Sequence, residues 1–419
     1  MKPTSKNRHV GKITFAIVFI LFIGSIFALN TFFELNSTGD VIGESSDKIE
    51  KDMNDEKNSR DVEQEEVEDK EITINLSAVG DIMFHDAQLE SAYDEENDTY
   101  HFIPVFEEVK PILSNADITI GNLETTLAGP ERGFSGYPLF NSPDETIDAI
   151  KNAGFDILTT ANNHSLDTGI DGLQRTIKVL REKGIDFVGT ADNEDQSRVL
   201  IKDVDGIKLA FLAYTESTNG LGDQYSNDQL HRMLNVMEKE NIMQDIEEAK
   251  SLDADLIITY MHWGTEYMEE PNEKQIEYAH MLAEAGVDII LGSHPHVIQP
   301  SEVIETDDHE TFVVYSMGNF ISNQRQETVG NNRTEDGIII NFDITKNKQT
   351  NETFIENVEY VPTWVYKHNE NGQSKYTYRI LPIEQSLSNA EISDAFKSRM
   401  ENSLKTTNAK MDHTPFEMK

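Results

Sequence analysis

Four histidines follow directly after three apolar, strand-like segments, and this pattern constrains the fold more than any other feature of the chain. The segments and the motifs that follow them are 155–160 with Ala-Asn-Asn-His at 161–164, 255–260 with Met-His-Trp-Gly at 261–264, and 287–291 with Gly-Ser-His-Pro-His at 292–296. In an open α/β sheet, parallel strands bring their carboxyl ends to one shared edge, where ligands bind. Neutral imidazole is the commonest side-chain metal ligand. The pattern therefore predicts a metal site with hydrolytic potential at that edge.

Strand-like and helix-like segments alternate between residues 71 and 310. This alternation predicts an α/β fold built from right-handed βαβ units around a mainly parallel sheet. Helices are predicted at about 142–152, 172–183, 235–252, 273–285 and 389–403. The motif Ser142-Pro143-Asp144-Glu145 predicts a capping box at the start of the first of them. After residue 310, three strands follow without helices between them, which predicts a second sheet or antiparallel edges.

An uncharged segment at residues 13–33 predicts a membrane anchor. Its 21 residues would span roughly 31 Å as a helix, about the thickness of a bilayer core. Basic residues lie in 1–12 and acidic residues follow the segment, so the positive-inside rule applies. The rule predicts a single-pass protein of the cell membrane, with a cytoplasmic N-terminal tail and an extracellular main domain. A cleaved signal peptide is the alternative.

The rest of the chain divides by composition. Residues 34–70 carry fourteen acidic against five basic side chains and few large apolar ones, so we expect an acidic, disordered stalk. Residues 71–365 are predicted to form the main domain. Residues 366–419 are predicted to be a polar C-terminal extension.

Net charge and cysteine content exclude several classes of function. The formal net charge is −41, and residues 71–419 carry −36 of it. Nucleic acid is therefore not expected as a partner, because phosphate backbones require clustered Lys and Arg. Solubility is one explanation of the acidity and the gathering of divalent cations is another. The chain has no cysteine, which excludes disulfides, thiolate ligands, a cysteine nucleophile and a lipidated cysteine.

Carboxylate side chains also stand at predicted strand ends. Asp81 follows Gly80 at the end of the first strand, and Glu124 follows the second. Carboxylates are suitable ligands, and Glu124 could bridge two ions. The alternative for both residues is a local cap of a helix or turn. The metal ligands that the sequence predicts are Asp81, Glu124, Asn163, His262, His294 and His296.

His164 and Asp167 are predicted to act in catalysis. An imidazole beside Asn163 could serve as a general acid or hold a phosphoryl oxygen. Asp167, three residues later, could orient that imidazole. The alternative for the histidines at the strand ends is that they are buried and hydrogen-bonded for structural reasons. His85 stays a candidate because it lies near Asp81 in the sequence.

At these motifs the sequence resembles the capsule synthesis protein CapA family, also described as poly-γ-glutamate synthesis proteins. The resemblance covers about residues 73–365, with six motifs in the same order and a seventh near the end. The motifs are Gly80-Asp81-Ile82-Met83, Gly121-Asn122-Leu123-Glu124, Ala161-Asn162-Asn163-His164, His262-Trp263-Gly264, Gly292-Ser293-His294-Pro295-His296-Val297, Tyr315-Ser316-Met317-Gly318-Asn319-Phe320 and Pro362-Thr363-Trp364-Val365.

The resemblance implies a metallophosphatase-like fold, which is a four-layered α/β sandwich. It also implies membrane anchoring with an outward domain, and a role in making or exporting an anionic poly-γ-glutamate polymer. Some family members belong to cell-surface complexes with membrane synthases. Membrane-bound poly-γ-glutamate synthase subunits are therefore the implied partners, and the anionic polymer or a phosphorylated compound is the implied substrate.

The family is similar to calcineurin-like metallophosphoesterases, which use two adjacent metals. Asp81 matches their first ligand, but Met83 stands where they have a histidine, and Glu124 stands where they have a bridging aspartate. These departures leave one ion, or a weakly held pair, as alternatives. Mn²⁺, Fe or Zn²⁺ is compatible with the mixed nitrogen and oxygen ligands.

Three functional hypotheses follow. The first is an anchored capsule-synthesis protein that retains a metal-dependent hydrolase site. The second is a non-catalytic assembly or polymer-binding factor of a capsule synthase complex. The third is a metal-dependent hydrolase with a different reaction, either a phosphoesterase of unrelated substrate or an amide hydrolase that trims the polymer.

Overall fold

Two β-sheets stacked face to face form the centre of the structure. The computed structural model describes residues 70–193, 196–307, 309–369 and 375–411, all within one unit, Val67–Lys419. The predicted cytoplasmic tail, membrane anchor and stalk lie outside the described residues, except for Lys70 at the end of the stalk. Within the described ranges, no helix is both long and apolar enough to cross a membrane.

The described chain forms sixteen strands and ten α-helices. In chain order the strands are β1 (Glu71–Ile82), β2 (Tyr93–Asp94), β3 (Thr99–Tyr100), β4 (Ile118–Leu123), β5 (Ile157–Thr159), β6 (Asp186–Val188), β7 (Leu200–Val204), β8 (Ile207–Thr215), β9 (Leu256–His262), β10 (Ile289–Ser293), β11 (Ile298–Glu305), β12 (Glu310–Met317), β13 (Asn319–Ile321), β14 (Asp336–Asn347), β15 (Thr353–His368) and β16 (Thr377–Pro382). The helices are α1 (Asp86–Ala92), α2 (Lys110–Leu113), α3 (Glu145–Ala153), α4 (Gly169–Lys183), α5 (Asn227–Met233), α6 (Lys239–Ser251), α7 (Glu273–Glu284), α8 (Gln326–Val329), α9 (Ile383–Ser386) and α10 (Asp394–Met411).

The two large sheets each combine a parallel centre with antiparallel edges. The first has the order β16-β15-β14-β1-β4-β5-β6, with β13 also paired to β1, and its strands β1, β4, β5 and β6 run parallel. The second has the order β11-β12-β10-β9-β8-β7, with β8, β9, β10 and β12 parallel. After residue 310 the chain completes the second sheet and then adds antiparallel strands to the first. The predicted α/β fold is confirmed, with mixed sheets in place of a mainly parallel one.

Alternate faces of each sheet pack into different layers. Along β1, Leu76 points into the core shared by the two sheets, whereas Val79 packs against the helices outside the first sheet. On the second sheet, Leu212 packs outward against Ile246 of α6 and Leu282 of α7. Burying one such leucine stabilises the fold by roughly 2 kcal/mol. The result is a helix–sheet–sheet–helix sandwich, the four-layered arrangement that the resemblance implied.

Local sequence explains the start of α7 but fails at the start of α3. At the start of α7, Asn272 Oδ1 accepts from Gln275 N at 2.9 Å, and Gln275 Oε1 accepts from Asn272 N at 3.0 Å. The capping box predicted at Ser142-Pro143-Asp144-Glu145 is wrong. The hydroxyl of Ser142 instead pairs with that of Thr125 at 2.9 Å, because both are buried together away from the helix end.

The folded unit continues beyond residue 365. Strand β15 runs to His368 and pairs with β16, so the predicted C-terminal extension begins inside a strand. Helix α10 packs against this sheet and against β11, and Met411 at its end enters the core between the sheets. The helix predicted near 389–403 therefore lies further along the chain, at Asp394–Met411.

Two glycines bring neighbouring backbones close together near the carboxyl ends of the strands. A Cβ at Gly80 would lie 2.0 Å from Gly318 O, and one at Gly292 would lie 2.0 Å from Tyr315 O. In the first contact, the amide of Asp81 donates to Gly318 O at 3.0 Å. Only glycine permits this approach, and the contact holds the end of β1 against the connection between β12 and β13.

Candidate metal centre

The carboxyl ends of the parallel strands from both sheets meet in one place. The first sheet brings Asp81 at the end of β1, Glu124 directly after β4, and Asn163 and His164 in the turn after β5. The second sheet brings His262 as the last residue of β9, and His294 and His296 directly after β10. The structure therefore brings together all six predicted ligands and His164. Their roles as metal ligands and as a general acid stay predictions.

One carboxylate oxygen lies at the centre of this cluster. Glu124 Oε1 is buried and has no hydrogen-bond partner among the described residues. Three imidazole nitrogens face it: His262 Nε2 at 3.6 Å, His296 Nε2 at 3.8 Å and His164 Nε2 at 4.0 Å. A buried carboxylate without a partner is costly. The residues therefore fit a cation, which would lie between this oxygen and the imidazoles.

Two overlapping groups of residues have the composition and spacing of a metal site. The ligand atoms of Asp81, Glu124 and His262 all lie within 4.8 Å of one another, and so do those of Glu124, His294 and His296. Glu124 belongs to both groups, as a bridging carboxylate would. The mixed nitrogen and oxygen donors suit a divalent transition metal and do not choose among Mn²⁺, Fe and Zn²⁺.

Asp81 is held by hydrogen bonds on both carboxylate oxygens. Oδ1 accepts from Asn122 Nδ2 at 2.8 Å, and Oδ2 lies 3.1 Å from His296 Nδ1 and accepts from the amide of His294 at 3.2 Å. Burial alone would raise its pKa, but the contacts with His296 and Asn122 bring the pKa below its ordinary value. Asp81 is therefore ionised at neutral pH.

Glu124, His262 and His294 are neutral without a cation. Burial, reinforced by the charge of Asp81, raises the pKa of Glu124 well above its ordinary value. Burial, reinforced by neighbouring imidazoles, lowers the pKa of His262 far below 6.5 and that of His294 to about 4. Neutral imidazoles keep a lone pair for a metal at neutral pH.

The side chains around His262 fix its ring. Asn163 Oδ1, the amide oxygen predicted to be a ligand, lies 2.9 Å from His262 Nε2. The two predicted ligand atoms are therefore adjacent. On the other side of the ring, Ser293 Oγ lies 2.8 Å from His262 Nδ1. Ser293 is the residue of β10 that pairs with His262 of β9. This arrangement positions the ring before any ligand binds.

His164 and Asp167 form the pair that the sequence predicted. Asp167 Oδ2 lies 2.7 Å from His164 Nδ1 and also accepts from the amide of Phe140 at 2.6 Å. Burial raises the pKa of Asp167, although His164 opposes this. With Nδ1 directed at the carboxylate, His164 Nε2 faces Glu124 and the centre of the site.

His85 and Met83 do not belong to the cluster. His85 Nδ1 accepts from the amide of Asn323 at 3.3 Å, its ring packs edge-on against Phe140, and burial lowers its pKa to about 4. Met83 is buried, and its amide donates to Ile321 O at 2.8 Å, which completes the pairing at the end of β1. The first ligand position thus lacks the histidine of the calcineurin-like enzymes.

Sequence reasoning missed three buried polar residues that support the cluster. Ser293 contacts His262, Asn162 donates to Asn122 Oδ1 at 3.0 Å, and Asn319 lies 3.1 Å from His296. All three lie inside motifs that the family resemblance singled out, so the motifs were the available signal. Their roles depend on which side chain faces which, and a motif does not give that.

Metal binding should displace a proton from Glu124. Because its raised pKa keeps the carboxyl protonated in the metal-free protein, ionisation must accompany ligation, and affinity should increase as pH rises through the acid and neutral range. Calorimetric titration with Mn²⁺ in buffers of different ionisation enthalpy measures this proton. Glu124→Gln should lose the proton release and about 100-fold or more in affinity.

The matched control is Glu302→Gln, a carboxylate on β11 that contacts the hydroxyl of Tyr315. This variant should bind Mn²⁺ as the unaltered protein does. An enthalpy that does not depend on the buffer, or equal binding by the Glu124 variant, would contradict the assignment.

Comparison with known proteins identifies a family. Residues 75–324 match the family model for the bacterial capsule synthesis protein PGA_cap. The capsule biosynthesis protein CapA of Bacillus anthracis is 30% identical over 283 residues, which are 65% of this chain and 64% of that protein. The PGA biosynthesis protein CapA of Bacillus subtilis (strain 168) is 28% identical over 278 residues, 65% of this chain and 68% of that protein.

Solved structures with a related outline are more distant. The NAD nucleotidase of Haemophilus influenzae superposes with a TM-score of 0.45 at 13% identity, covering 82% of this chain and 64% of that one. The calcineurin-like phosphoesterase YfkN of Bacillus subtilis superposes with a TM-score of 0.38 at 14% identity, covering 81% and 97%. Such low scores support no conclusion about activity. The family match spans more than half of the sequence, and it shows that this chain belongs to the bacterial capsule synthesis protein family, the CapA family.

Proposed function

We propose that this chain is a membrane-anchored, outward-facing protein of poly-γ-glutamate capsule synthesis or export, and that its folded domain is a metal-dependent hydrolase. Family membership supports the role in capsule synthesis. One observation supports the hydrolase: the buried, unpartnered Glu124 Oε1 faces three imidazole nitrogens within 4.0 Å. A purely structural cluster would satisfy that oxygen with a hydrogen bond.

The proposed ligands divide into two groups that share Glu124. Asp81, His262 and the amide oxygen of Asn163 would hold an ion at one position, and His294 and His296 would hold one at the other. A divalent ion there would supply Lewis acidity and a water of lowered pKa. The protein holds the ligands in place through Asn122, Ser293 and the backbone amide of His294.

His164 is proposed to protonate the leaving group. Asp167 accepts the hydrogen on Nδ1, which leaves Nε2 to hold or give a proton on the side of the reacting bond. Burial of the pair excludes bulk water from this contact, since both side chains are at most 5% exposed. Asp167 therefore acts by orienting the ring, as carboxylates commonly do for functional histidines.

The substrate is proposed to be the anionic polymer or a phosphorylated compound, and the partners to be membrane-bound synthase subunits. The charge of −36 on residues 71–419 disfavours direct binding of a polyanion unless cations mediate it. Residues 13–33 are proposed to stay as an uncleaved anchor. N-terminal sequencing of the mature protein tests this proposal. A mature sequence that begins after residue 33 would identify a cleaved signal peptide instead of an anchor.

Replacing His164 should slow the chemical step without weakening metal binding. For His164→Asn we expect kcat on an activated phosphodiester to fall by about 10²- to 10⁴-fold, because the general acid is lost, while the Kd for Mn²⁺ stays unchanged. The exposed His280→Asn variant serves as the control and should keep full activity. Equal kcat for the His164 variant and the control would remove His164 from the mechanism.

Capsule formation in cells should require the metal ligands. The double variant Asp81→Ala, His294→Ala should be produced and anchored but should fail to restore capsule to cells that lack this protein. A surface control, Asp171→Ala with His280→Ala, should restore it. Restoration by the ligand variant would favour the non-catalytic assembly factor, and analysis of the released products would separate amide from phosphoester hydrolysis.

A further inference from the structure

The motif Tyr315-Ser316-Met317-Gly318-Asn319-Phe320 has no assigned role, yet it ends at the metal centre. Asn319 is fully buried, and its amide nitrogen has three acceptors around it. The distances from Asn319 Nδ2 are 3.0 Å to Thr334 O, 3.2 Å to Gln324 Oε1 and 3.3 Å to His296 O. An amide that donates on this side presents its oxygen on the other, so the orientation of the side chain is fixed.

That oxygen faces the ring of His296. Asn319 Oδ1 and Asp81 Oδ2 each lie 3.1 Å from His296 Nδ1. Both oxygens are acceptors, so Nδ1 carries a hydrogen and Nε2 is the ring nitrogen that remains for a ligand. Nε2 lies 3.8 Å from Glu124 Oε1, the oxygen without a partner. The ring orientation that Asn319 and Asp81 both favour therefore turns Nε2 toward Glu124.

Asn319 also holds the backbone at this point. It pairs in register with Asp81 of the neighbouring strand β1, and it donates to the carbonyl of His296, whose φ is 58°. A left-handed φ is unfavourable for a histidine unless its surroundings hold it. Asp81 is itself a proposed metal ligand. Asn319 is not a proposed ligand, so its hydrogen bond to His296 can persist when a metal binds.

We propose that Asn319 is a positioning residue that, together with Asp81, fixes the ring orientation and tautomer of His296 for metal binding. The inference rests on the metal-binding part of the proposed function and adds to it the residue that completes the Glu124, His294 and His296 group. Hydrogen-bond partners of metal-binding histidines are typically worth about 10- to 100-fold in metal affinity.

The test compares three variants of the full chain by calorimetric titration with Mn²⁺. Asn319→Leu removes one of the two acceptors at Nδ1 and should lower affinity by about 10- to 100-fold. Asn319→Asp keeps an acceptor while losing the donated hydrogen bonds, so it should lose stability but keep most of the affinity. Asn141→Leu is the matched control, because Asn141 is also buried and bonded to backbone groups, but not to a histidine.

Nitrogen-15 spectra of histidine-labelled, metal-free protein give a second readout. In the unaltered protein the hydrogen of His296 should be on Nδ1, and in Asn319→Leu, where Asp81 Oδ2 is the remaining acceptor, a larger share of it should be on Nε2. Equal metal loss in the Leu and Asp variants, or normal binding by both, would overturn this inference alone. An unaltered protein that binds no Mn²⁺ would overturn the proposed function together with it.

Discussion

A buried carboxylate oxygen that the protein leaves without a partner is the constraint on which the site depends. Moving a carboxylate out of water costs several kcal/mol, so the metal-free protein keeps Glu124 protonated, as its raised pKa indicates. The neighbouring Asp81 is ionised because Asn122 and His296 contact it. One carboxyl group is thus satisfied by the protein, and the other is held for a cation. This division of roles explains why imidazole nitrogens surround Glu124.

The site lies where the carboxyl ends of strands from the two sheets meet. β1 and β4 bring the carboxylates, and β9 and β10 bring His262, His294 and His296, so neither sheet holds a complete site. Their ends are joined where Gly80 lets the backbone of β1 approach Gly318 O, and where the amide of Asp81 donates to the same oxygen. The distances within the site therefore depend on packing between sheets, and the hydrophobic core between them supports the chemistry.

Most of the fold and the members of the site could be predicted from sequence. Apolar runs of strand length, followed by polar residues with metal-binding groups, identify the strand ends, and parallel topology then brings those ends together. The capping box at Ser142 failed because a buried hydroxyl found a tertiary partner in Thr125. The positive φ of His294, His296 and Tyr267 depends on the same kind of long-range context. Such contacts lie beyond any local pattern, as do the partners chosen by Ser293 and Asn319.

Anomalous diffraction from crystals grown with Mn²⁺ tests the central claim most directly, which is that carboxylate and imidazole groups from both sheets share one coordination sphere. The account predicts one or two anomalous peaks between the sheets, each within about 2.0–2.6 Å of an oxygen of Glu124 and a nitrogen of His262, His294 or His296. Peaks bound only at surface carboxylates, with Glu124 hydrogen-bonded to a neighbouring side chain instead, would contradict it.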